Sequence, residues 1–281
     1  MRSFLTAFLG ICLIFGPLKA LSGEEGEFSF LTYNVAGIHN LFSPLKNKKN
    51  MKAIGERLND FDIVVLQENF SYYKLLNGPL NFAYKKKADR WGVFGNGLMR
   101  LSQTPFTEYK KFKWPKCSGV FKKLNDCLAN KGFSVARHEI SSGVFIDIYN
   151  IHTDAGEHIN DKRARYSQFH FLLKKINDYS KGNAVIVAGD WNMVHEDRDD
   201  QVTFYNFLQK AGLRYMCKIF VCERERFGRL DRVVYRSSGS VYLESTSVVF
   251  GEESDFYDKD GVPLSDHKPL RVNFYWQKKV N

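Results

Sequence analysis

Asp62-Ile63-Val64-Val65-Leu66-Gln67-Glu68 is an unbroken apolar run that ends on a glutamine and a carboxylate. Its shortness and its branched side chains read as a strand covered on both faces, from about residue 62 to 67. Upstream, residues 48–59 place Met51, Ile54 and Leu58 at helical spacing, and residues 28–35 read as another strand. Downstream, strands are expected at 132–137, 143–151, 184–188, 230–235, 240–249 and 270–274. Two helices are expected there as well. One spans 161–179 with Phe169, Leu172, Leu173 and Ile176 as its apolar stripe, and the other spans about 199–210. Strands outnumber helices and several are consecutive. That favours an α/β fold in which sheets pack on each other with helices outside, over a simple doubly wound sheet.

The chain has 281 residues, 44% hydrophobic and 26% charged, enough to bury a large core. Disorder and collagen-like structure are excluded. No repeat or linker-like tract interrupts it, so one domain from about residue 26 to 277 is the simplest partition. Lys and Arg exceed Asp and Glu by 10, which suits an anionic partner such as nucleic acid, lipid headgroups or a phosphoester.

Residues 1–20 differ from the rest: Arg2, an apolar run from Phe4 to Gly16, Pro17 and the small Ala20. This is the pattern of a secretory signal peptide, and the run is shorter than the roughly 18 residues of a spanning helix. A secreted or periplasmic protein is therefore expected. Outside that leader, Cys117, Cys127, Cys217 and Cys222 are even in number and allow three pairings. The local set, 117 with 127 and 217 with 222, is favoured. Zinc is disfavoured, because neither pair has C-x-x-C spacing or a neighbouring histidine.

Chemistry-bearing side chains recur at the ends of the expected strands: Asn34, Glu68, His152, Asp190 with Asn192, Asp231, and Asp266 with His267. Each has an ordinary explanation alone. Asn34, Asp190 and the 265–267 segment could be turn residues, Glu68 a first-turn acid of a helix, His152 a core histidine, and Asp231 an ion-pair partner of Arg232. Six such sites at strand ends, which a sheet gathers together, argue instead for one cleft. Those side chains suit metal-assisted phosphate ester hydrolysis. Mg²⁺ takes hard oxygen ligands and few carboxylates, so Glu68 with Asn34 or Asp266 suffices, with Mn²⁺ or Ca²⁺ as alternatives. His267 oriented by Asp231 forms an acid–base dyad, and Asn192 with a protonated His152 can hold phosphoryl oxygens. A G-x-S-x-G elbow and a Walker loop are both absent.

At these residues the sequence resembles the endonuclease/exonuclease/phosphatase superfamily of DNase I-like nucleases, neutral sphingomyelinases and inositol phosphate 5-phosphatases. The matching blocks are Thr32-Tyr33-Asn34-Val35, Leu66-Gln67-Glu68, Asn150-Ile151-His152, Gly189-Asp190-Trp191-Asn192, Leu230-Asp231-Arg232-Val233 and Ser265-Asp266-His267-Lys268-Pro269, in the family's order. The resemblance implies a four-layered α/β sandwich and a Mg²⁺-dependent hydrolase that directs water onto phosphorus. It implies Glu68 as main metal ligand with Asn34 and Asp266 beside it, and His267 as base with Asp231 behind it. Asp190 and Asn192 would position water and phosphate, with Asp190 also a candidate base, and His152 would serve the phosphate or the leaving group.

The leader and the Asn130-Lys131-Gly132-Phe133 segment are similar to secreted sphingomyelinases, and a phospholipase C-type activity is marginally favoured on that ground. A DNase I-like endonuclease and a phosphomonoesterase on a soluble ester are the alternatives, and an inactive binding protein or toxin subunit is the non-enzyme reading. Two hallmarks are missing. The window at 85–89 offers only Asp89 where nucleases place a glutamate behind the histidine, and residues 237–261 are too polar for a membrane-dipping hairpin. The expected partner is an anionic phosphoester, phospholipid or nucleic acid, with peripheral membrane contact an option and no protein partner expected. Lysines at 46–52, 85–87 and 110–116, the last interleaved with Tyr109, Phe112 and Trp114, fit nucleic-acid stacking, membrane anchoring or plain solvation.

Overall fold

The computed structural model describes residues 24–37, 47–87, 95–118, 127, 130–216, 230–251 and 256–279. The expected leader, Asp89 and the 217–222 cysteine pair lie outside these residues. The first sheet contains β1 (Glu25–Asn34), β2 (Ile63–Gln67), β3 (Tyr84–Lys86), β4 (Met99–Ser102), β11 (Val241–Phe250) and β12 (Leu270–Lys278), in the order β11-β12-β1-β2-β4-β3. The second contains β5 (Phe106–Lys113), β6 (Gly132–Ser141), β7 (Val144–His152), β8 (Ala184–Asp190), β9 (Arg214–Tyr215) and β10 (Asp231–Arg236), in the order β5-β6-β7-β8-β10-β9. Pairs β1–β2 and β7–β8 are parallel, and their neighbours are antiparallel.

Alternation along the central strands assigns each side chain to a layer. Phe30, Ile63, Val65, Ile146, Ile148, Ile186 and Val272 fill the space between the sheets. Leu31, Tyr33, Val64 and Leu66 face outward beneath α1 (Asn47–Leu58) and α2 (Tyr73–Asn77), which contribute Met51, Ile54, Leu58 and Leu76. On the opposite side Tyr149, Ile151, Val185 and Val187 meet α3 (Ile159–Tyr179) and α4 (Arg198–Ala211) through Phe169, Leu172, Ile176 and Phe207. The result is helix, sheet, sheet, helix: the expected four-layered sandwich. Leu173 of the predicted stripe is only partly buried.

Helix α3 starts two residues earlier than the apolar stripe suggests. His158 caps it by accepting from the Asn160 amide at 3.3 Å, while Asp161 accepts from the His158 amide at 3.0 Å. Strand β5 escapes a period-two reading for a different reason. A bulge between Thr107 and Lys110, with Glu108 at φ 50°, shifts the alternation so that Phe106, Tyr109 and Phe112 recur every third residue. β3, β4 and β9 are too short to carry a pattern, and β4 buries Arg100 between the sheets, where it donates to the Ile148 carbonyl at 2.8 Å.

Candidate active site

Strand polarity brings the chemistry to one end of the sandwich. Parallel β1 and β2 finish together, with Asn34 opposite Gln67 and Glu68 next in the chain. Parallel β7 and β8 finish with His152 opposite Asp190, and antiparallel β10 begins with Asp231 opposite that same Asp190. The loop before β12 brings Asp266 and His267 to the same end, since β12 runs antiparallel to β1.

Below these residues a buried amide lattice fixes one sheet on the other. Gln67 donates from Nε2 to Asn150 Oδ1 at 2.7 Å and to Thr32 Oγ1 at 3.1 Å, while Asn150 donates to the Leu66 and Met99 carbonyls. Gln67 precedes Glu68, and Asn150 lies two residues before His152 on the same face of β7. The lattice therefore sets the separation of the side chains above it.

Asn34 is the junction of the site. Its fully buried amide accepts from the Ala36 N–H at 3.0 Å and donates from Nδ2 to Glu68 Oε1 at 3.1 Å and Asp190 Oδ2 at 3.0 Å. His267 Nε2 lies 3.3 Å from the same Nδ2, and His267 Nδ1 lies 2.7 Å from Asp231 Oδ2. A ring that gives its Nδ1 proton to Asp231 turns the Nε2 lone pair toward the cleft. Ser265 ties that loop to β1 by donating to the Asn34 carbonyl at 2.8 Å, and its oxygen accepts from the His267 amide. His152 Nε2 is 3.4 Å from Asp190 Oδ2 and 3.7 Å from Glu68 Oε1, yet neither ring nitrogen of this buried histidine makes a hydrogen bond among the described residues.

Ala36, Glu68 and Asn192 all adopt positive φ, at 46°, 55° and 47°. Three non-glycine residues in the left-handed region at neighbouring strand ends concentrate backbone strain where the side chains converge. Asn192 is thereby turned so that Nδ2 donates to the Thr153 carbonyl at 3.0 Å and its amide donates to Asp190 Oδ1 at 3.0 Å. Asp266 is exposed, with Oδ1 accepting from Ser265 Oγ at 3.3 Å. Six of the eight expected side chains, those of Asn34, Glu68, His152, Asp190, Asp231 and His267, thus face one another, while Asn192 joins through its backbone amide and Asp266 stands at the solvent side.

Electrostatics follow from burial. Burial raises the Glu68 carboxyl, against the Lys131 charge and the Asn34 hydrogen bond. Burial also presses Asp190 upward, but His267, His152, Lys131 and the Asn34 hydrogen bond together hold it below the ordinary value. For His267 burial opposes the charge, and the Asp231 and Asp190 carboxylates overcome it, so its pKa lies well above the usual histidine value. His152 moves the other way. Burial and the nearby Lys131 hold its pKa well below normal, which disfavours the protonated form in which it could hold phosphoryl oxygens by charge.

Lys131 itself was read from the sequence only as part of a family-like segment. It is nearly buried, donates to the Thr153 carbonyl at 3.1 Å, and bears on Glu68, Asp190 and His152. A lysine opening an apolar strand ordinarily signals a solvated strand end, so only the fold shows its charge turned inward.

The donor set fits a hard divalent cation. Ligand atoms of Glu68, His152 and Asp190 lie within 4.8 Å of one another, as do those of Asp190, Asp231 and His267. Clustered carboxylates with a strained Glu68 and an unbonded buried histidine are what a cation and a phosphoryl group would complete.

The residue pattern of the Endonuclease/Exonuclease/phosphatase family matches residues 31–267. Sphingomyelinases of Mycobacterium tuberculosis and Mycobacterium bovis are 30% identical over 281 residues, covering 90% of this chain and 53% of theirs. The chain therefore spans about half the length of the curated relatives it matches. Among solved structures, humanized D. rerio TDP2 aligns with TM-score 0.66 at 21% identity, covering 88% of this chain and 98% of that one. A magnesium-bound beta toxin of Staphylococcus aureus aligns with TM-score 0.62 at 16% identity, covering 88% and 99%. The matched interval contains every strand end that meets in the cleft, and the sandwich is shared with both solved structures. The chain belongs to the endonuclease/exonuclease/phosphatase family.

Proposed function

We propose that the protein is a secreted or periplasmic Mg²⁺-dependent phosphodiesterase that cleaves sphingomyelin, or a related phosphocholine lipid, in the manner of a phospholipase C. The observation that carries the chemistry is the His267–Asp231 pair, 2.7 Å apart, facing Asp190, Asn34 and Glu68 in one cleft. The likeness to mycobacterial sphingomyelinases over 90% of the chain supports the lipid substrate. The Cys117–Cys127 disulfide, formed as the local pairing anticipates, supports an oxidising compartment.

Glu68 would hold the cation, with Asp266 on the solvent side and Asn34 joining it only once its amide turns Oδ1 from the Ala36 N–H toward the cleft, and the ion when bound would supply charge neutralisation on the phosphoryl and leaving oxygens. In its unprotonated form, a minority while the Asp231 and Asp190 carboxylates alone surround it, His267 accepts the proton of the attacking water at Nε2, and Asp231 keeps Nδ1 protonated and stabilises the imidazolium that forms. Asp190 and Asn192 fix the water and one phosphoryl oxygen. His152 is placed to donate a hydrogen bond to a phosphoryl oxygen, the departing alkoxide takes its proton from solvent water, and Lys131 adds positive charge where negative charge grows.

The nuclease alternative has less support, because the aromatics interleaved with the 110–116 lysines are engaged within the fold, Tyr109 beneath the Lys86 ammonium at 5.0 Å from the ring centroid. Phe112 stacks on Phe133 at 4.9 Å between ring centroids, and buried Trp114 donates from Nε1 to the His152 carbonyl at 2.7 Å. Neither offers a stacking platform for bases. The test pairs sphingomyelin vesicles with supercoiled plasmid, each with Mg²⁺ or EDTA. Metal-dependent phosphocholine release that disappears in Glu68→Ala is the expected result. Plasmid nicking that fades with salt, without phosphocholine release, overturns the lipid assignment.

A further inference from the structure

Four of the eight exposed large hydrophobic residues among the described residues lie on α3 and α4: Ile159, Tyr166, Val202 and Tyr205, each 45–52% exposed. Three of them, Ile159, Tyr166 and Val202, line a groove of about 820 Å³ between the two helices. Ile159 and Tyr166 are seven residues apart on α3, so both project from one face. Lys116, Arg163 and Arg198 line the same groove and are exposed. None of these three forms an ion pair among the described residues, whereas the groove's Lys162 is paired with Asp197. Asp199 is the acidic residue of the lining. An apolar strip flanked by unpaired cations complements an anionic lipid surface, into which the apolar side chains can sink while the cations meet headgroups.

The groove is also placed to serve the cleft. The loop from His152 runs directly into α3, and the loop from Asp190 and Asn192 runs directly into α4. Buried Arg165 locks the two helix starts together by donating to both Asp200 carboxylate oxygens at 3.0 and 2.9 Å and to the Asp154 carbonyl at 3.1 Å. A bilayer seated against the helix starts therefore lies on the side of the fold where β7 and β8 deliver their catalytic residues.

We propose that the α3–α4 groove is an interfacial docking surface that holds the enzyme on membranes containing anionic phospholipid. This deepens the phospholipid reading of the cleft and rests on it. The surface takes the place of the apolar hairpin that the sequence between 237 and 261 does not provide.

The test uses the full chain in flotation with phosphatidylcholine vesicles, with and without phosphatidylserine. Wild type floats with the anionic vesicles and loses them as salt rises. Arg163→Glu with Arg198→Glu weakens partition about tenfold or more, while Lys74→Glu with Lys181→Glu, an equal change of net charge at exposed positions outside the groove, changes it by less than about twofold. A second variant, Ile159→Ser with Val202→Ser, also reduces flotation and decides the matter if the charge variant misfolds. Wild type that stays unbound, equal loss in both charge variants, or capture by plasmid in preference to vesicles overturns the docking surface. Hydrolysis of sphingomyelin dispersed in detergent micelles reports the cleft separately: it is unchanged in the groove variants, and its absence in wild type counts against the activity rather than the groove.

Discussion

Asp231 and Asp190 face each other across the antiparallel β10–β8 pair, one at the first residue of its strand and one at the last. This register sets one carboxylate 2.7 Å behind His267 Nδ1 and the other 3.7 Å from His267 Nε2. The imidazole is thus held between a carboxylate that orients it and one that shares its working side.

Asp231→Asn tests the orienting role. An amide in that place donates to Nδ1, moves the ring proton to Nε2 and leaves no lone pair toward the cleft. Hydrolysis is expected to fall by roughly 10²–10⁴-fold with the circular dichroism spectrum unchanged. Activity within a factor of about three of wild type would assign the base to Asp190 instead.

Glu68→Gln separates metal binding from stability. The carboxylate sits in a half-buried, poorly hydrated setting that raises its pKa, so the folded protein carries its charge at a cost. Calorimetry should show Mg²⁺ binding lost and hydrolysis down on the order of 10³-fold. The melting temperature without metal should rise. A lower melting temperature would mean that Glu68 is a structural residue.

Buried His138 predicts an acid limit. Arg100 donates to its Nε2 at 2.9 Å, and burial together with the Arg100 charge holds its pKa well below 6.5. Because the unfolded chain takes up this proton first, the stability it contributes is complete above about pH 6.5 and is lost progressively as pH falls toward the depressed folded value. Denaturation midpoints measured from pH 7 downward should fall. His138→Gln, which can still accept from Arg100, should flatten that decline. An unchanged slope would assign the acid sensitivity to other groups.

Gly189→Ala should be among the most damaging single changes. Gly189 has φ 141°, and a Cβ there would meet the Ile151 carbonyl oxygen at 2.0 Å, across the parallel pairing that aligns His152 with Asp190. A loss of about 2–4 kcal/mol is expected in urea unfolding, together with loss of activity. A near-neutral effect would show that β7 and β8 can shift without cost.

Much of this protein is written locally. The run 62–67 declares a strand covered on both faces because all five β2 residues are apolar or amide-paired, and the spacing of Met51, Ile54 and Leu58 declares the helix that covers one side. Asn34, Glu68, His152, Asp190, Asp231 and His267 were visible as candidates because each closes or opens such a segment, and strand ends gather wherever strands assemble. The same residue types could not announce their charge states. The His152 pKa is held low and Lys131 points inward because of what the second sheet and its loops place around them, and desolvation is a property of assembled layers. β5 stayed hidden because a bulge breaks the two-residue period, and Phe112 and Trp114 read as surface aromatics until packing turned them into the core. The α3–α4 groove is likewise a product of tertiary structure: its apolar and basic residues come from segments some forty residues apart, and only the packing of two helices makes them one surface.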